Sequence, residues 1–372
     1  MESSPLQVVL AGANPTYLWG MSVDERVRRI AAAQKFTIGG IGDAPTLLVN
    51  RAFAFDPAWL RAMATRPGEA LTLGGKVAIA NCRNDDERRE ALTAIEGDAR
   101  LPEGASLVAL AHEHGNVQVN AELRKREQPF LLRLDPSTVR GVERASYFGA
   151  YKGVTDLLTK YLWPEWALVL TRMAARLGIS PNAVTAVGAI LCVVATICFG
   201  YGFYWTGMLT GLGFMVLDTV DGKLARCTIT SSFWGNIFDH GIDLIHPPFW
   251  WYAWGVGLAA YGRPLDPDTF LWVMVAIIGG YVVQRVIEGI FMRRFGMHIH
   301  VWERADSRFR LITARRNPNM VILFVALLFM RPDLGLIGIA VWTLLSCLFH
   351  LVRLVQAYLV SARGGAIRSW LG

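Results

Sequence analysis

From about residue 182 the chain becomes a succession of apolar runs too long to stay in water. They lie near 182–201, 204–226, 232–261, 268–292, 318–331 and 334–360, and about 20 apolar residues in helical form cross a hydrocarbon core. In that solvent every backbone N–H and C=O must find its partner inside the segment, so α-helices are the expected form. The sequence predicts an α-helical polytopic membrane domain of six transmembrane helices. The fifth run is short and either extends back through "ARRNP" or tilts.

Composition agrees, with 53% hydrophobic residues and 13 tryptophans in 372, more than soluble proteins usually carry. The basic residues of the loops fall mostly on one side: Lys223, Arg226, Arg293, Arg294, Arg304, Arg308, Arg310, Arg315, Arg316, Arg363 and Arg368. Positive-inside logic places that side in the cytoplasm, so a multi-pass cell-membrane protein with cytoplasmic ends is expected. The net charge of +7 then suits anionic lipid and phosphorylated substrates, and no nucleic-acid partner is expected. Five cysteines without CxxC spacing imply neither a disulfide framework nor a zinc site. Residues 1–20 lack the basic start, apolar run and cleavage site of a signal peptide.

Residues 1–140 read as a small cytoplasmic α/β domain. "LQVVLAG", "APTLLVN", "EALTLGGKVAIAN" and "ASLVALA" are strand candidates, and "VDERVRRIAAAQ" is a helix between them. Residues 146–178 read as a long helical segment bent or divided at Pro164, whose aromatic and leucine residues, interleaved with Lys152, Lys160, Arg172 and Arg176, suit the membrane surface. The membrane domain then occupies 179–363. The histidine pairs His112/His114 and His298/His300 lack further ligands at useful spacing and are expected at the surface, and "RKRE", Arg124 to Glu127, is expected to be a solvated face.

The apolar half nonetheless contains "LDTVDGKLARCTITSSFWGNIFDHGID", residues 217–243. At about 100° per residue, Asp218, Asp221, Gly222 and Ala225 share one arc of the second span, and Gly235, Asp239 and Asp243 share one side of the third. A short turn folds these faces together. Four carboxylates at the rim of a helix hairpin repel one another, and ionisable groups at membrane depth are costly unless paired or hydrated. A divalent cation resolves the conflict, and oxygen-only ligands point to Mg²⁺, Mn²⁺ or Ca²⁺. Pairing with Lys223 and Arg226 would explain one or two of these aspartates more easily than four.

The pattern Asp218-x2-Asp221-Gly222-x2-Ala225-Arg226-x8-Gly235-x3-Asp239-x3-Asp243 resembles the signature of the CDP-alcohol phosphotransferases at every fixed position, and "GISPNAVT" is similar to the family's entry to the first span. The resemblance covers about 150–360. It implies six spans, commonly a homodimer, and transfer of a substituted phosphoryl group from a CDP-linked donor to an alcohol with release of CMP. It also implies two Mg²⁺ or Mn²⁺ ions held by Asp218, Asp221, Asp239 and Asp243, with Asp243 acting as base. Asn182, Thr185, Gly222, Ala225, Arg226 and Gly235 would border the CDP moiety.

The whole-chain layout resembles fused inositol-phosphate cytidylyltransferase and di-myo-inositol-phosphate-phosphate synthase proteins. A working cytidylyltransferase needs a glycine-rich basic loop after its first strand. "LAGANPTYLWGMSVDERVRR" lacks those glycines and the lysine, so the N-terminal domain is expected to be degenerate and inactive, nucleotidyltransferase-like in form alone.

For the acceptor, Arg285, Arg315, Arg316 and Arg353 are the candidates, because a guanidinium donates two hydrogen bonds at once to phosphate. They suggest an alcohol phosphate such as inositol phosphate or glycerol phosphate, with CDP-diacylglycerol as donor drawn from membrane lipid. A soluble donor such as CDP-inositol is the alternative. A divalent-cation transporter would also place aspartates among spans, but it needs a polar path to the far side, and "ILCVVATICF" and "VWTLLS" are almost wholly apolar.

Overall fold

The computed structural model describes residues 6–40 and 45–372, with the side chain of Asp239 outside the described set. In the N-terminal region, strands β1 (Gln7–Ala11), β2 (Thr37–Ile38), β3 (Thr46–Asn50), β4 (Glu69–Leu73), β5 (Lys76–Cys82) and β6 (Val108–Ala111) form one mixed sheet in the order β2-β1-β3-β5-β4-β6. Pairing is parallel for β1 with β2 and β3, and for β4 with β6; β5 runs antiparallel to both its neighbours. Continuous burial of β3 and near-continuous burial of β5 reflect a sheet covered on both faces.

Helices α1 (Val23–Ala33), α2 (Pro57–Ala64) and α3 (Asp85–Glu96) start where the sequence supplies caps. Ser22 accepts from Glu25 N, Asp56 from Ala58 N and Asn84 from Glu87 N, each satisfying an amide that the helix itself cannot. A small hairpin, β7 (Gln118–Asn120) with β8 (Lys125–Glu127), stands apart from the sheet.

The helical segment expected to bend or divide at Pro164 is divided. Helix α4 (Val139–Gly149) ends before Tyr151-Lys152-Gly153, and α5 (Pro164–Arg176) begins with Pro164 at its first position, where a missing N–H costs nothing. Helix α5 leaves Trp166, Val169, Met173 and Leu177 exposed along one side. Across this segment the N-terminal region docks on the helices that follow: Trp19 Nε1 donates to Ser146 Oγ (2.8 Å), and Arg26 Nη1 donates to the Cys227 carbonyl (2.9 Å).

The helical half comprises α6 (Pro181–Gly200), α7 (Tyr204–Cys227), α8 (Phe233–Ala260), α9 (Pro267–Phe295), the short α10 (Arg304–Phe309), α11 (Arg316–Leu328) and α12 (Pro332–Ala362). By length and composition, α6, α9 and α12 suffice to cross a membrane among the described residues. Helices α7 and α8, of 24 and 28 residues, are long enough but carry the charged signature, and α11 has 13 residues. Apolarity therefore marks three spans, not the six expected.

An aromatic core locks α6, α7 and α8: Phe199, Tyr204, Trp250 and Trp254 are wholly buried. Their polar tips are satisfied, with Tyr204 Oη donating to the Trp254 carbonyl (2.7 Å), Trp250 Nε1 to Cys192 O (3.2 Å) and Trp254 Nε1 to Pro332 O (3.1 Å). Pro247 and Pro248 lie inside α8, and a π-turn over Val275–Gly279 interrupts α9. Both open the backbone near the site.

Candidate active site

One cavity of about 760 Å³ lies between α6, α7, α8, α9 and the loop before α11. Asp218, Asp221, Gly222, Ala225, Arg226, Gly235, Asp243, Asn182, Thr185, Arg285, Arg315 and Arg316 all line it. Asp239 lies on α8 one turn before Asp243, but its side chain is outside the described residues. Arg353 does not join them. It points to α10, where its guanidinium meets Asp306 (2.6 Å) and Glu303 (2.8 Å) and stacks 4.1 Å over the Trp302 ring. That removes the acceptor role expected for Arg353, because its donors are spent on the fold.

The carboxylates converge through one cation. Arg316, at the start of α11, donates Nη2 to Asp218 Oδ2 (2.6 Å) and Nη1 to Asp243 Oδ1 (2.7 Å). One guanidinium thus spans side chains from α7 and α8, while its flat face lies 4.8 Å over Phe214. Arg316 was expected beside the acceptor; it sits instead between two of the aspartates. Asp221 is held separately, with Oδ2 accepting from Thr185 Oγ1 at 2.5 Å and Oδ1 from the Gly222 amide at 2.5 Å.

A shared guanidinium between two carboxylates is the arrangement in which a shared metal cation also fits, and the donor set is all oxygen. Among the described residues no three acidic, imidazole or thiolate groups already stand in a ligating cluster. The residues present fit a hard divalent ion once Arg316 yields its place.

Small residues shape the side of the cavity between α6, α7 and α8. A Cβ on Gly235 would lie 2.9 Å from Asn182 Oδ1, and one on Gly222 3.1 Å from the Arg226 guanidinium. A side chain there would have to displace the Asn182 amide and Ser232 hydroxyl, or the Arg226 guanidinium. Ser180 caps α6 and Pro181 opens it, which fixes Asn182 and Thr185 on its first turns. Helix α7 is pinned from outside: Trp163 Nε1 donates to Thr219 Oγ1 (3.1 Å), and Lys223 Nζ donates to Ala150 O (2.9 Å) while lying 3.3 Å over the Tyr151 ring.

The opposite wall is basic. Glu288 collects Arg315 (2.5 Å), Arg285 (3.1 Å) and His300 (3.3 Å). Asp156 accepts from Asn317 Nδ2 (3.0 Å) and Thr159 Oγ1 (2.8 Å). Burial works against the Asp156 charge, yet Arg310 and these hydrogen bonds hold its carboxyl below the usual range. Arg310 is 8% exposed, and its Nε and Nη1 have no hydrogen-bond partner among the described residues. Burial, reinforced by Arg315, holds the Arg310 guanidinium well below its ordinary value.

Four residues of this wall were given no site role from sequence: Arg310, Asp156, Asn317 and Arg124. The "DSRFRLITARRNPN" loop contains two of them, but their convergence depends on the fold of the 150–160 segment. Two expectations are overturned here. His300 is not a surface residue, being 2% exposed, whereas His298 is exposed as expected; both line the cavity. Burial keeps both imidazoles below their normal pKa. "RKRE" is not a solvated face either, since Arg124 lines the cavity and Lys125 is buried against Gly149 O and Glu127. Local sequence cannot show that a hairpin tip lands on another domain.

Residues 178–359 match the family model "CDP-alcohol phosphatidyltransferase". Similar curated proteins include cholinephosphotransferase 1 of Gallus gallus, 33% identical over 127 residues (31% of this chain, 36% of that one). The Homo sapiens cholinephosphotransferase 1 is 34% identical over 179 residues (44% and 41%). A phosphatidylinositol phosphate synthase of Cutibacterium acnes is 35% identical over 82 residues (21% and 40%). The chain thus matches about two fifths of the length of each of these relatives.

Proposed function

Residues 178–359 belong to the CDP-alcohol phosphatidyltransferase family, and from that premise we propose a membrane phosphotransferase that moves a substituted phosphoryl group from CDP-diacylglycerol to an alcohol phosphate and releases CMP. The observation that carries it is the convergence of Asp218 and Asp243 on one cation at the wall of a cavity whose far side is arginine-rich. In this reading the six helices α6, α7, α8, α9, α11 and α12 span the bilayer, with the cavity open to the cytoplasm. A homodimer in the cell membrane belongs to the same proposal.

The chain's own groups divide the work. Asn182, Thr185, Gly222, Ala225, Arg226 and Gly235 border the cytidine diphosphate, the glycines allowing the diphosphate close to the backbone. Asp218, Asp221, Asp239 and Asp243 would hold Mg²⁺ or Mn²⁺, two ions in all, which when bound neutralise the diphosphate and polarise its phosphoryl oxygens. Asp243 takes the proton of the acceptor hydroxyl as its oxygen bonds to the β-phosphorus. The bond from that phosphorus to the CMP oxygen breaks, CMP leaves with the electron pair, and the proton passes on to water. Arg316, released from the two carboxylates, donates to the oxygens of the transferring phosphoryl group.

Arg285 and Arg315, with Arg310, would receive the acceptor's phosphate. The same wall argues against a quaternary ammonium headgroup such as the choline in the names of two of the relatives, because like charges in a desolvated pocket repel strongly. Those relatives do favour, as a second reading, a soluble CDP-alcohol donor with an anionic or neutral headgroup, such as CDP-inositol.

The test is CMP release by the purified full chain, supplied with CDP-diacylglycerol or CDP-inositol, Mg²⁺ or Mn²⁺, and inositol phosphate or glycerol phosphate. Release that needs both metal and a CDP-linked donor supports the reading. Metal flux into vesicles without CMP release would replace it with transport.

A further inference from the structure

We propose that Arg124, carried by the N-terminal domain and outside residues 178–359, is a binding residue of the acceptor pocket and selects alcohols that bear a phosphate monoester. This rests on the transferase reading above. It gives the N-terminal domain a direct part in substrate choice.

Arg124 sits at the tip of the β7–β8 hairpin, whose strands pair Gln118 with Glu127 and Asn120 with Lys125. The turn is built to place it. Leu123 N donates to Asn120 Oδ1 (2.9 Å), and Arg124 takes a left-handed backbone with φ of 50°, a conformation that costs a non-glycine residue about 1 kcal/mol or more. Such strain persists only where surrounding contacts enforce it. Here the Gly153 amide donates to Leu123 O (2.8 Å), and Lys125 bonds to Gly149 O on the neighbouring segment. Gly153 is close enough that an added Cβ would lie 2.6 Å from Arg124 O and 2.6 Å from Lys125 Cβ.

The tip, Glu122 to Arg124, lines the same cavity as Lys152, Arg310 and Arg315. Arg124 feels the charges of Arg315 and Glu288, and burial together with Arg315 lowers its pKa to about 10. Arg124, Arg285, Arg310, Arg315 and Lys152 share this wall with Glu288, Asp156 and the exposed Glu122 of the hairpin tip, and Asp243 also acts on Arg285, while burial holds the His298 and His300 imidazoles below their normal pKa. A low-dielectric site with excess guanidinium charge, and with the buried Arg310 Nε and Nη1 unpartnered among the described residues, calls for an anion. A phosphate monoester supplies close to two negative charges and three acceptor oxygens. The diphosphate of the donor is accounted for at the Asp218, Asp221 and Arg226 side of the cavity, so this second anion belongs to the acceptor.

The experiment compares wild type, R124A, R124K and G153A, as purified full chains with wild-type elution and melting behaviour in detergent. CDP-diacylglycerol and Mg²⁺ are constant, and acceptors come in pairs: inositol phosphate with inositol, glycerol phosphate with glycerol. In R124A the acceptor-phosphate KM should rise about tenfold or more, the loss of about one charge-assisted hydrogen bond, with kcat and donor KM within about twofold. Selectivity for the phosphorylated member of each pair should fall in parallel, and R124K should recover part of it. G153A removes no charge but lifts the hairpin tip, and should reproduce the KM effect.

A turnover-free readout is the melting temperature in millimolar inorganic phosphate, which should rise for wild type and not for R124A. An unchanged acceptor KM in R124A overturns the proposal, as does an equal loss on phosphorylated and plain alcohols. Wild-type CMP release without preference for phosphorylated acceptors overturns it while leaving the transferase reading intact. Absence of CMP release from every donor, with phosphate stabilisation still lost in R124A, would instead sink the transferase reading and keep Arg124 as an anion-binding residue.

Discussion

Two crevices in this molecule are bordered by arginine, and they differ in what the arginines lack. At the carboxyl end of β1, Gly12, Asn14, Ser22, Asp24, the exposed Arg28 and the half-buried Arg51 border an open crevice. Arg51 there is saturated: Nε and Nη2 meet the two Asp24 oxygens (2.7 and 3.0 Å), and Nη1 meets the carbonyls of Gly12 (2.8 Å) and Leu10 (3.2 Å). In the helical half, Arg310 is buried with two donor nitrogens unmet among the described residues, and Arg316 donates both Nη atoms to the carboxylates expected to trade it for metal, with Nε on Asn317 Oδ1 (3.0 Å). Identical side chains report opposite things. Saturated donors describe a fold that closes on itself, and buried unmet ones describe a place kept for a ligand.

The contrast breaks most visibly at the carboxylates. D218N and D243N should each lower CMP release by about a thousandfold, in line with loss of a general base or of charge at a phosphoryl-transfer site, whereas D24N should leave turnover within about twofold. Radiolabelled CMP release at saturating donor decides it. If D24N proved as damaging as D243N, the β1 crevice would have to enter the chemistry and the comparison would collapse. Next in size is Arg310: R310Q should raise the acceptor-phosphate KM by about tenfold with little change in donor KM. Steady-state kinetics with inositol phosphate check the split, and a kcat loss without a KM change would remove Arg310 from the acceptor wall.

Legibility in the sequence followed the same division. The strands 7–11, 46–50, 69–73, 76–82 and 108–111 coincide with apolar runs that sequence marks as strands, because alternation and turn residues are local signals. The aspartate signature was legible for a similar reason, since i, i+3 and i, i+4 spacing is itself geometry. What escaped depends on docking between segments distant in sequence. "RKRE" carries no local sign that Arg124 will face Arg315, 191 positions away by subtraction of their numbers. "MHIH" looks like a surface pair until α9 and the loop after it close over His300. Arg353 failed in the opposite sense: its place near the end of a span suggested phosphate, but Glu303 and Asp306, 50 and 47 residues earlier, had already claimed its donors.

On the saturated side of the comparison the effects should be on stability alone. R51A removes a bidentate pair and two carbonyl contacts from groups that are about a quarter and a third exposed, so about 1 kcal/mol is the expected loss after allowance for solvent screening. Urea unfolding of the full chain followed by tryptophan fluorescence would show it, with acceptor KM unmoved. A raised acceptor KM in R51A would mean that the β1 crevice communicates with the cavity.

The smallest effect is a dependence on acid. Hydrogen bonding from Arg51 lowers the Asp24 pKa below its unfolded value, burial opposing in part. The group whose pKa falls on folding contributes fully above its unfolded value, about 4, and its contribution disappears as pH drops through the lower folded value. The stability difference between wild type and D24N should therefore be constant from neutral pH to about pH 5 and shrink towards zero below about pH 4. It should also stay smaller than that of R51A, about half a kcal/mol, since D24N leaves Arg51 its bonds to Leu10 and Gly12. A difference that grew as the pH fell would require Asp24 to be protonated in the fold, and Arg51 would then have donors to spare for a ligand, as Arg310 does.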